Sequence, residues 1–277
     1  MRLATIRTDV GTRAVRLEGD ALVDLGRTDL GVLLAEDDWE RTAAGPGTGR
    51  SYAAADADFA PVVGRPSKVV CVGHNYTNHI QEMGRELPAY PTLFPKFADT
   101  LIGANDAIVK PPETDRLDWE VELVVVVGRQ VRRASTAQAE AAIAGFTVMN
   151  DVSVRDWQFR TIEWTQGKIW DSTTPVGPYL VTPDELAGGV RPELNVRTLV
   201  DGQLMQDDDT GTLLFDPVAL VEYISTVITL RPGDLIATGT PAGVGQARDP
   251  QLFLEPGSTV VASVEGIGAC TNRIVAS

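Results

Sequence analysis

Cysteine is scarce in this chain. Cys71 and Cys270 are the only two among 277 residues, and neither sits in a CxxC pair. No disulfide framework can be built from them, which fits a protein of the reducing cytoplasm. Positive charge is short as well: 24 Lys plus Arg face 38 Asp plus Glu, a formal charge of -14. Such a surface argues against a nucleic-acid partner and against docking on anionic lipid, since both need basic residues. Long apolar runs are missing, the longest being Leu123 to Val127, far below the length of a membrane-spanning helix. The opening stretch, Met1-Arg2-Leu3-Ala4-Thr5-Ile6-Arg7, has no apolar signal segment. Histidine, the commonest general base, occurs only at His74 and His79.

The remainder of the composition is that of a globular enzyme-sized chain: 43% hydrophobic and 22% charged, with length for one sizeable domain and a smaller appendage. Residues 1 to 65 read as short strands punctuated by Gly11, Gly19 and Gly26, with a helical stretch near Leu30 to Glu36 and a turn-rich link from Pro61 to Pro66. We expect a small β-rich N-terminal domain there and a second domain over residues 66–277. In the second part, strand-like runs recur at Val69 to Val72, Glu120 to Val127, Phe146 to Met149, Val196 to Asp201, Leu235 to Ala237 and Thr259 to Val264. Helical spacing is confined to Ala137 to Ile143 and Pro217 to Val227. Many strands with few intervening helices predict an α+β, mainly β fold rich in antiparallel pairing rather than a βαβ repeat.

The segment Asp118-Trp119-Glu120-Val121-Glu122 runs directly into the valine-rich stretch. Alternation along a strand would put Asp118, Glu120 and Glu122 on one face, with Trp119, Val121 and Leu123 on the other. Carboxylates entering a strand buried on both faces repel each other and lose hydration, so a compensating charge is needed. Oxygen ligands without neighbouring Cys or His favour Mg²⁺ or Mn²⁺ over Zn²⁺. The competing reading is an exposed edge strand guarded by charge. Asp151 lies at the end of the next strand-like run and would complete a three-carboxylate set; alone it could equally be a helix N-cap. Lys168, between Gly167 and Ile169, either snorkels to solvent or faces the acids, where its charge would stabilise an enolate. His79 and Glu82, three apart on a short helix, form either a surface ion pair or an oriented general base. Gly239 to Gly245 is glycine-rich, but Pro241 and the lack of a following helix do not fit a dinucleotide loop.

The stretches GHNYTNHIQEMG, LFPKFADTLIGANDAI, LDWEVELVVVVGR, NDVSVRDWQ, GKIWDSTTPVGPYLVT and LRPGDLIATGTPAGVG, spanning most of residues 68 to 246, together resemble the fumarylacetoacetate hydrolase family in its shorter bacterial form. The resemblance implies a mixed β roll with a small N-terminal domain, paired as a homodimer. It implies that Glu120, Glu122 and Asp151 bind Mg²⁺ or Mn²⁺, and that His79 and Glu82 form a water-activating dyad. Lys168 and Gln158 would lie beside the substrate, with Lys96 and Thr240 lining its pocket. His74, Val154 and the pair Ile169-Trp170 depart from the family's common residues, which leaves substrate choice open.

On this basis the expected activity is metal-dependent hydrolysis of a carbon–carbon bond in a small β-diketo acid, an acylpyruvate or a fumarylacetoacetate-like compound, in the setting of aromatic catabolism. Similar members decarboxylate oxaloacetate or isomerise 2-hydroxyhepta-2,4-diene-1,7-dioate, and these remain alternatives. A metal-stabilised protein without catalysis is a third, for which Lys168, Gln158 and the His79–Glu82 pair would have no purpose.

Overall fold

The computed structural model describes residues 1–82 and 86–277, with the backbone alone for His79, Gln81 and Glu82. Its centre is the strand Val121–Val127, every residue of which is buried. Seven consecutive buried residues, five of them valine, cannot hide both faces on an edge. The strand therefore lies inside a 12-stranded sheet, antiparallel to Ile143–Asn150 on one side and to Leu235–Ala237 on the other. Alternation sends Val121, Leu123, Val125 and Val127 into one core cluster and Val124 and Val126 into another. Each such side chain contributes about 1.5–3 kcal/mol by leaving water.

Beyond Leu235–Ala237 the sheet continues through Val69–Gly73 to Thr92–Lys96. In the other direction it passes through Thr174–Val181 to the N-terminal strands. Arg2–Thr8 pairs with it at Arg2 opposite Val181 and Leu3 opposite Leu180. The strands before residue 65 thus extend the same sheet as the rest of the chain.

Against one face packs a 5-stranded sheet in the order Gln203–Asp209, Asn195–Val200, Thr259–Val264, Gly268–Ala276 and Ile108–Lys110. Its Val196, Ala262 and Val264 share the core cluster of Val121 and Leu123. The helix Pro217–Val227 joins that cluster. Asp216 caps it by accepting from Val218 N and Ala219 N, and Pro217 needs no partner at the first helical position. The architecture is mainly β with mixed sheets, as the strand-like runs predict.

Several boundaries differ from the sequence expectation, and two bear on the central strands. The helix expected over Ala137 to Ile143 is Thr136–Ala142, begun by a capping box of Ser135 and Gln138, and Ile143 is already extended and belongs to the following strand. The central strand begins at Val121, so Glu120 lies just before it. Among the described residues no helix is long and apolar enough to cross a membrane.

Candidate active site

Three carboxylates meet where the central strand pair begins and ends. Val121 is paired with Asn150, so the residues just outside the pair, Glu120 and Asp151, lie side by side. Asp151 N donates to Glu120 O at 2.8 Å, and Glu120 N donates to Asn150 Oδ1 at 2.9 Å. Glu122, two residues along, completes the group, with ligand oxygens of Glu120, Glu122 and Asp151 all within 4.8 Å of one another. Their exposures of 8%, 1% and 0% exclude the charged-edge reading. The glycine-rich segment contributes directly: Gly239 N donates to Glu122 Oε2 at 2.7 Å. Gly239 has φ +102, and a Cβ there would lie 2.9 Å from Val72 O, so only glycine brings this amide to the carboxylate.

Three cations answer these acids. Lys168 Nζ donates to Glu120 Oε2 at 2.8 Å and to Asp151 Oδ2 at 2.7 Å. Lys96 Nζ donates to Asp151 Oδ1 at 2.7 Å. Arg155 reaches Glu120 Oε1 through Nη1 at 2.7 Å and Asp118 Oδ2 through Nε at 2.7 Å. Lys168 follows the short turn Trp164–Gly167, which presses on the helix Arg155–Gln158 so closely that a Cβ on Gly167 would sit 2.4 Å from Gln158 Cβ. Glycine before lysine is what lets the ammonium turn inward. Burial opposes the charge on Lys168, but Asp151 and Glu120 outweigh it and hold the ammonium protonated above its ordinary range.

Glu122 is the exception. Among the described residues it has no ion-pair partner; burial first, then repulsion from Asp151 and Glu120, pushes its carboxyl well above the ordinary range. If Glu122 is ionised, as a bound cation would favour, four carboxylates including Asp118 face three cations and leave one negative charge in excess. A hard divalent cation held by Glu120, Glu122 and Asp151 would reverse that excess to net positive. The donor set and its charge therefore fit Mg²⁺ or Mn²⁺.

Beside the acids opens a cavity of 430 Å³, the size of a small-molecule site. Glu120, Arg155, Gln158, Lys168 and Thr240 form its polar wall. Phe94, Trp164 and His74 line it too, with Trp164 edge-on to both rings at centroid distances of 5.6 and 5.0 Å and Lys168 Nζ 5.3 Å from the centre of the Phe94 ring. The cavity can hold a compact anion at its cationic end and a short carbon chain against the aromatic wall.

The structure brings together Glu120, Glu122, Asp151, Lys96, Lys168, Gln158 and Thr240. The side chains of His79 and Glu82 lie outside the described residues; their backbone is the helix Thr77–Glu82, which starts three positions after His74 on the cavity wall. Asp118 does not join the acid cluster as strand alternation predicts. Leu117–Asp118 is a separate short strand against Ser153–Val154, and the Asp118 carboxylate accepts from Gly245 N, Gln246 N and Arg155 instead. Arg155 went unassigned in the sequence reading, although it sits in the quoted RDWQ stretch; an arginine three residues before a pocket glutamine on a helix turn was the available signal.

Comparison with known proteins bears on the same residues. The family model for the fumarylacetoacetate hydrolase C-terminal domain matches residues 68–275. A rat protein named mitochondrial oxaloacetate tautomerase Fahd2a is 41% identical over 218 residues, covering 78% of this chain and 69% of its own. The crystal structure of 5-carboxymethyl-2-hydroxymuconate delta-isomerase from Mycobacterium smegmatis superposes with a TM-score of 0.84 at 36% identity over 100% of both chains. That of a fumarylacetoacetate hydrolase from Exiguobacterium antarcticum does so with a TM-score of 0.87 at 29% identity, again over 100% of both. With a buried carboxylate triad, a lysine between two of its members and this breadth of likeness, the chain belongs to the fumarylacetoacetate hydrolase family.

Proposed function

We propose that this enzyme forms and quenches the enolate of a small 2-keto acid, and that its reaction is proton transfer on a 2-keto dicarboxylate: keto–enol interconversion of oxaloacetate or the isomerisation of a longer unsaturated dioate. The observation that carries the reading is the Lys168 ammonium, buried, held protonated and fixed between Glu120 and Asp151 on the wall of the cavity. A cation in that position lowers the energy of the oxyanion that develops as the 2-keto group enolises. Arg155, on the same wall, supplies a second fixed charge for the substrate carboxylate. Gln158 is itself held by Arg155 Nη1 at 2.8 Å through its Oε1, which leaves its amide N–H groups to donate to substrate oxygen. A Mg²⁺ or Mn²⁺ ion bound by Glu120, Glu122 and Asp151 would add Lewis-acid polarisation of the keto oxygen.

In this reading His79, oriented by Glu82, takes the enol O–H proton or returns a proton to the adjacent carbon, with no net change in atoms. The tautomerase and isomerase names of the rat and Mycobacterium smegmatis relatives support this class of reaction. Hydrolysis of a β-diketo acid is the second reading, favoured by the Exiguobacterium antarcticum hydrolase and by the start of the Thr77–Glu82 helix three residues after His74 of the cavity lining. There His79 would deprotonate a water that adds to the distal carbonyl; the carbon–carbon bond breaks and its electron pair becomes the enolate of the released 2-keto acid, pyruvate in the case of acetylpyruvate, which is then protonated. Oxaloacetate decarboxylation would pass through that enolate too. A cytoplasmic homodimer is the setting we propose for either chemistry.

Incubation with oxaloacetate and with acetylpyruvate in Mg²⁺, in Mn²⁺ and in EDTA, with products followed by NMR, separates the readings. Faster enol–keto exchange of oxaloacetate without acetate release supports proton transfer. Acetate plus pyruvate from acetylpyruvate would replace it with hydrolysis, and pyruvate from oxaloacetate alone with decarboxylation.

A further inference from the structure

Gln206 lies in the outer strand Gln203–Asp209, remote in sequence from every residue assigned above, yet it is 1% exposed and makes four hydrogen bonds at the site. Its Oε1 accepts from Val121 N at 3.1 Å and from the Thr198 hydroxyl at 2.7 Å. Its Nε2 donates to the Thr240 hydroxyl at 2.8 Å and to Pro241 O at 2.9 Å.

Two of these partners fix the orientation of the amide without ambiguity. Val121 N–H can only donate, so the atom facing it is the oxygen; Pro241 C=O can only accept, so the atom facing it is the nitrogen. The hydroxyl directions then follow. Thr198 donates its proton to Gln206, whereas Thr240 accepts from Gln206 and keeps its own proton for another acceptor. Thr240 lines the cavity, and among the described residues no acceptor for its proton is found.

We propose that Gln206 is a positioning residue that turns the Thr240 hydroxyl into a donor aimed at a substrate oxygen, while anchoring Val121, the residue between two carboxylates of the triad. The class of ligand group it selects is an anionic or carbonyl oxygen, as in a keto acid or its enolate. One amide therefore ties Val121, at the head of the central strand, to the Thr240–Pro241 segment that lines the cavity. The inference rests on the enolate reading for the identity of that oxygen.

Gln206→Glu tests it sharply. A carboxylate still accepts from Val121 N and Thr198, but it also accepts the Thr240 proton and so withdraws that donor from the cavity. We expect kcat/KM for enol-oxaloacetate to fall roughly 10- to 100-fold in Gln206→Glu and in Thr240→Val, as for loss of a hydrogen bond to a charged group. The double variant should be no worse than either single one, because both changes remove the same donor. Multiplicative losses would overturn the proposal, as would Thr240→Val with wild-type kcat/KM. Thr240→Ser, which keeps native Gln206 and a hydroxyl, should retain activity within a few-fold; a Ser variant as poor as the Val variant would also overturn it. If the wild type is inactive on enol-oxaloacetate, the function reading fails by itself. The same set is then measured by calorimetric affinity for oxalate, whose paired oxygens imitate a 2-keto carboxylate, with the same pattern expected and the same outcomes overturning it.

Discussion

Replacing Lys168 by methionine removes one charge from the most tightly balanced part of the molecule, and its consequences divide between stability and turnover. Glu120 and Asp151 would each lose a buried partner at 2.8 and 2.7 Å. Asp151 keeps Lys96 and Glu120 keeps Arg155, but breaking a buried pair from one side still costs about 3–5 kcal/mol, because the buried oxygens that faced Lys168 have no water to replace it. At roughly 2–4 °C per kcal/mol for a chain of this size, the melting temperature without metal should drop by about 10 °C. Added Mn²⁺ supplies the missing positive charge to the same oxygens, so the variant should gain more stability from the ion than the wild type does. Turnover should not recover with it. The charge that stabilises the enolate oxygen is gone, and loss of one such fixed donor costs about 2.7–4 kcal/mol of activation free energy, or roughly a hundredfold or more in kcat. Differential scanning fluorimetry with and without Mn²⁺, beside oxaloacetate kinetics, reads both effects. A variant with wild-type kcat would refute the role of Lys168; one destabilised equally with and without metal would refute the shared-charge account.

Glu122→Gln preserves shape but removes the carboxylate that has no ion-pair partner among the described residues, and should weaken Mn²⁺ binding at least tenfold by calorimetry, with little loss of stability in the metal-free protein. Asp118→Asn should instead lower stability by about 3–5 kcal/mol in urea titration, since Asp118 accepts from Gly245 N, Gln246 N and Arg155 while fully buried. Burial pushes the Cys270 thiol up to about 12 against 9.0 for an exposed thiol. Below pH 9 the thiol is protonated folded and unfolded alike. Between 9 and 12 only the unfolded chain gives up this proton, so stability falls as pH rises, by about 1.4 kcal/mol per unit from this one group. Cys270→Ala should flatten the alkaline decline by that amount; an unchanged slope would contradict the assignment.

The central strand was legible in sequence because Leu123 to Val127 cannot be half-exposed, whereas the acids at its head fitted either a charge partner or an exposed edge until their burial decided between them. Other strands left weaker traces. Thr174–Val181 contains Pro175 and Pro178, which argue against a central strand; it is accommodated where the register with Ile143–Asn150 shifts between Phe146 and Val148. Gln203–Asp209 ends in three aspartates and lacks a clear apolar alternation, yet as the outer strand of its sheet it can keep Asp207 in solvent while Gln206 turns inward. Pairing of Arg2 with Val181 joins residues at opposite ends of the pattern, and no local signal encodes it.

The same limit applies to the site. Charge beside apolar sequence singled out Glu120, Glu122, Asp151 and Lys168 as candidates, but an exposed edge, a helix cap and a snorkelling lysine stayed open until the resemblance to the fumarylacetoacetate hydrolase family implied their roles. The partition of roles among neighbours was not legible: Asp118 differs from Glu120 only by two positions, yet a break in the strand sends it to the backbone of Gly245 and Gln246. Gln206 and Thr240 meet across 34 residues through a contact that only the packed sheets create.

The most direct test of the account is enolate formation itself, independent of which product is finally released. Pyruvate or oxaloacetate incubated with the enzyme in D₂O and Mg²⁺ should exchange the hydrogens next to the keto group for deuterium, read by proton NMR. The account predicts exchange well above buffer, abolished by EDTA and by Lys168→Met. Exchange no faster than buffer alone, or exchange untouched by both treatments, would contradict it.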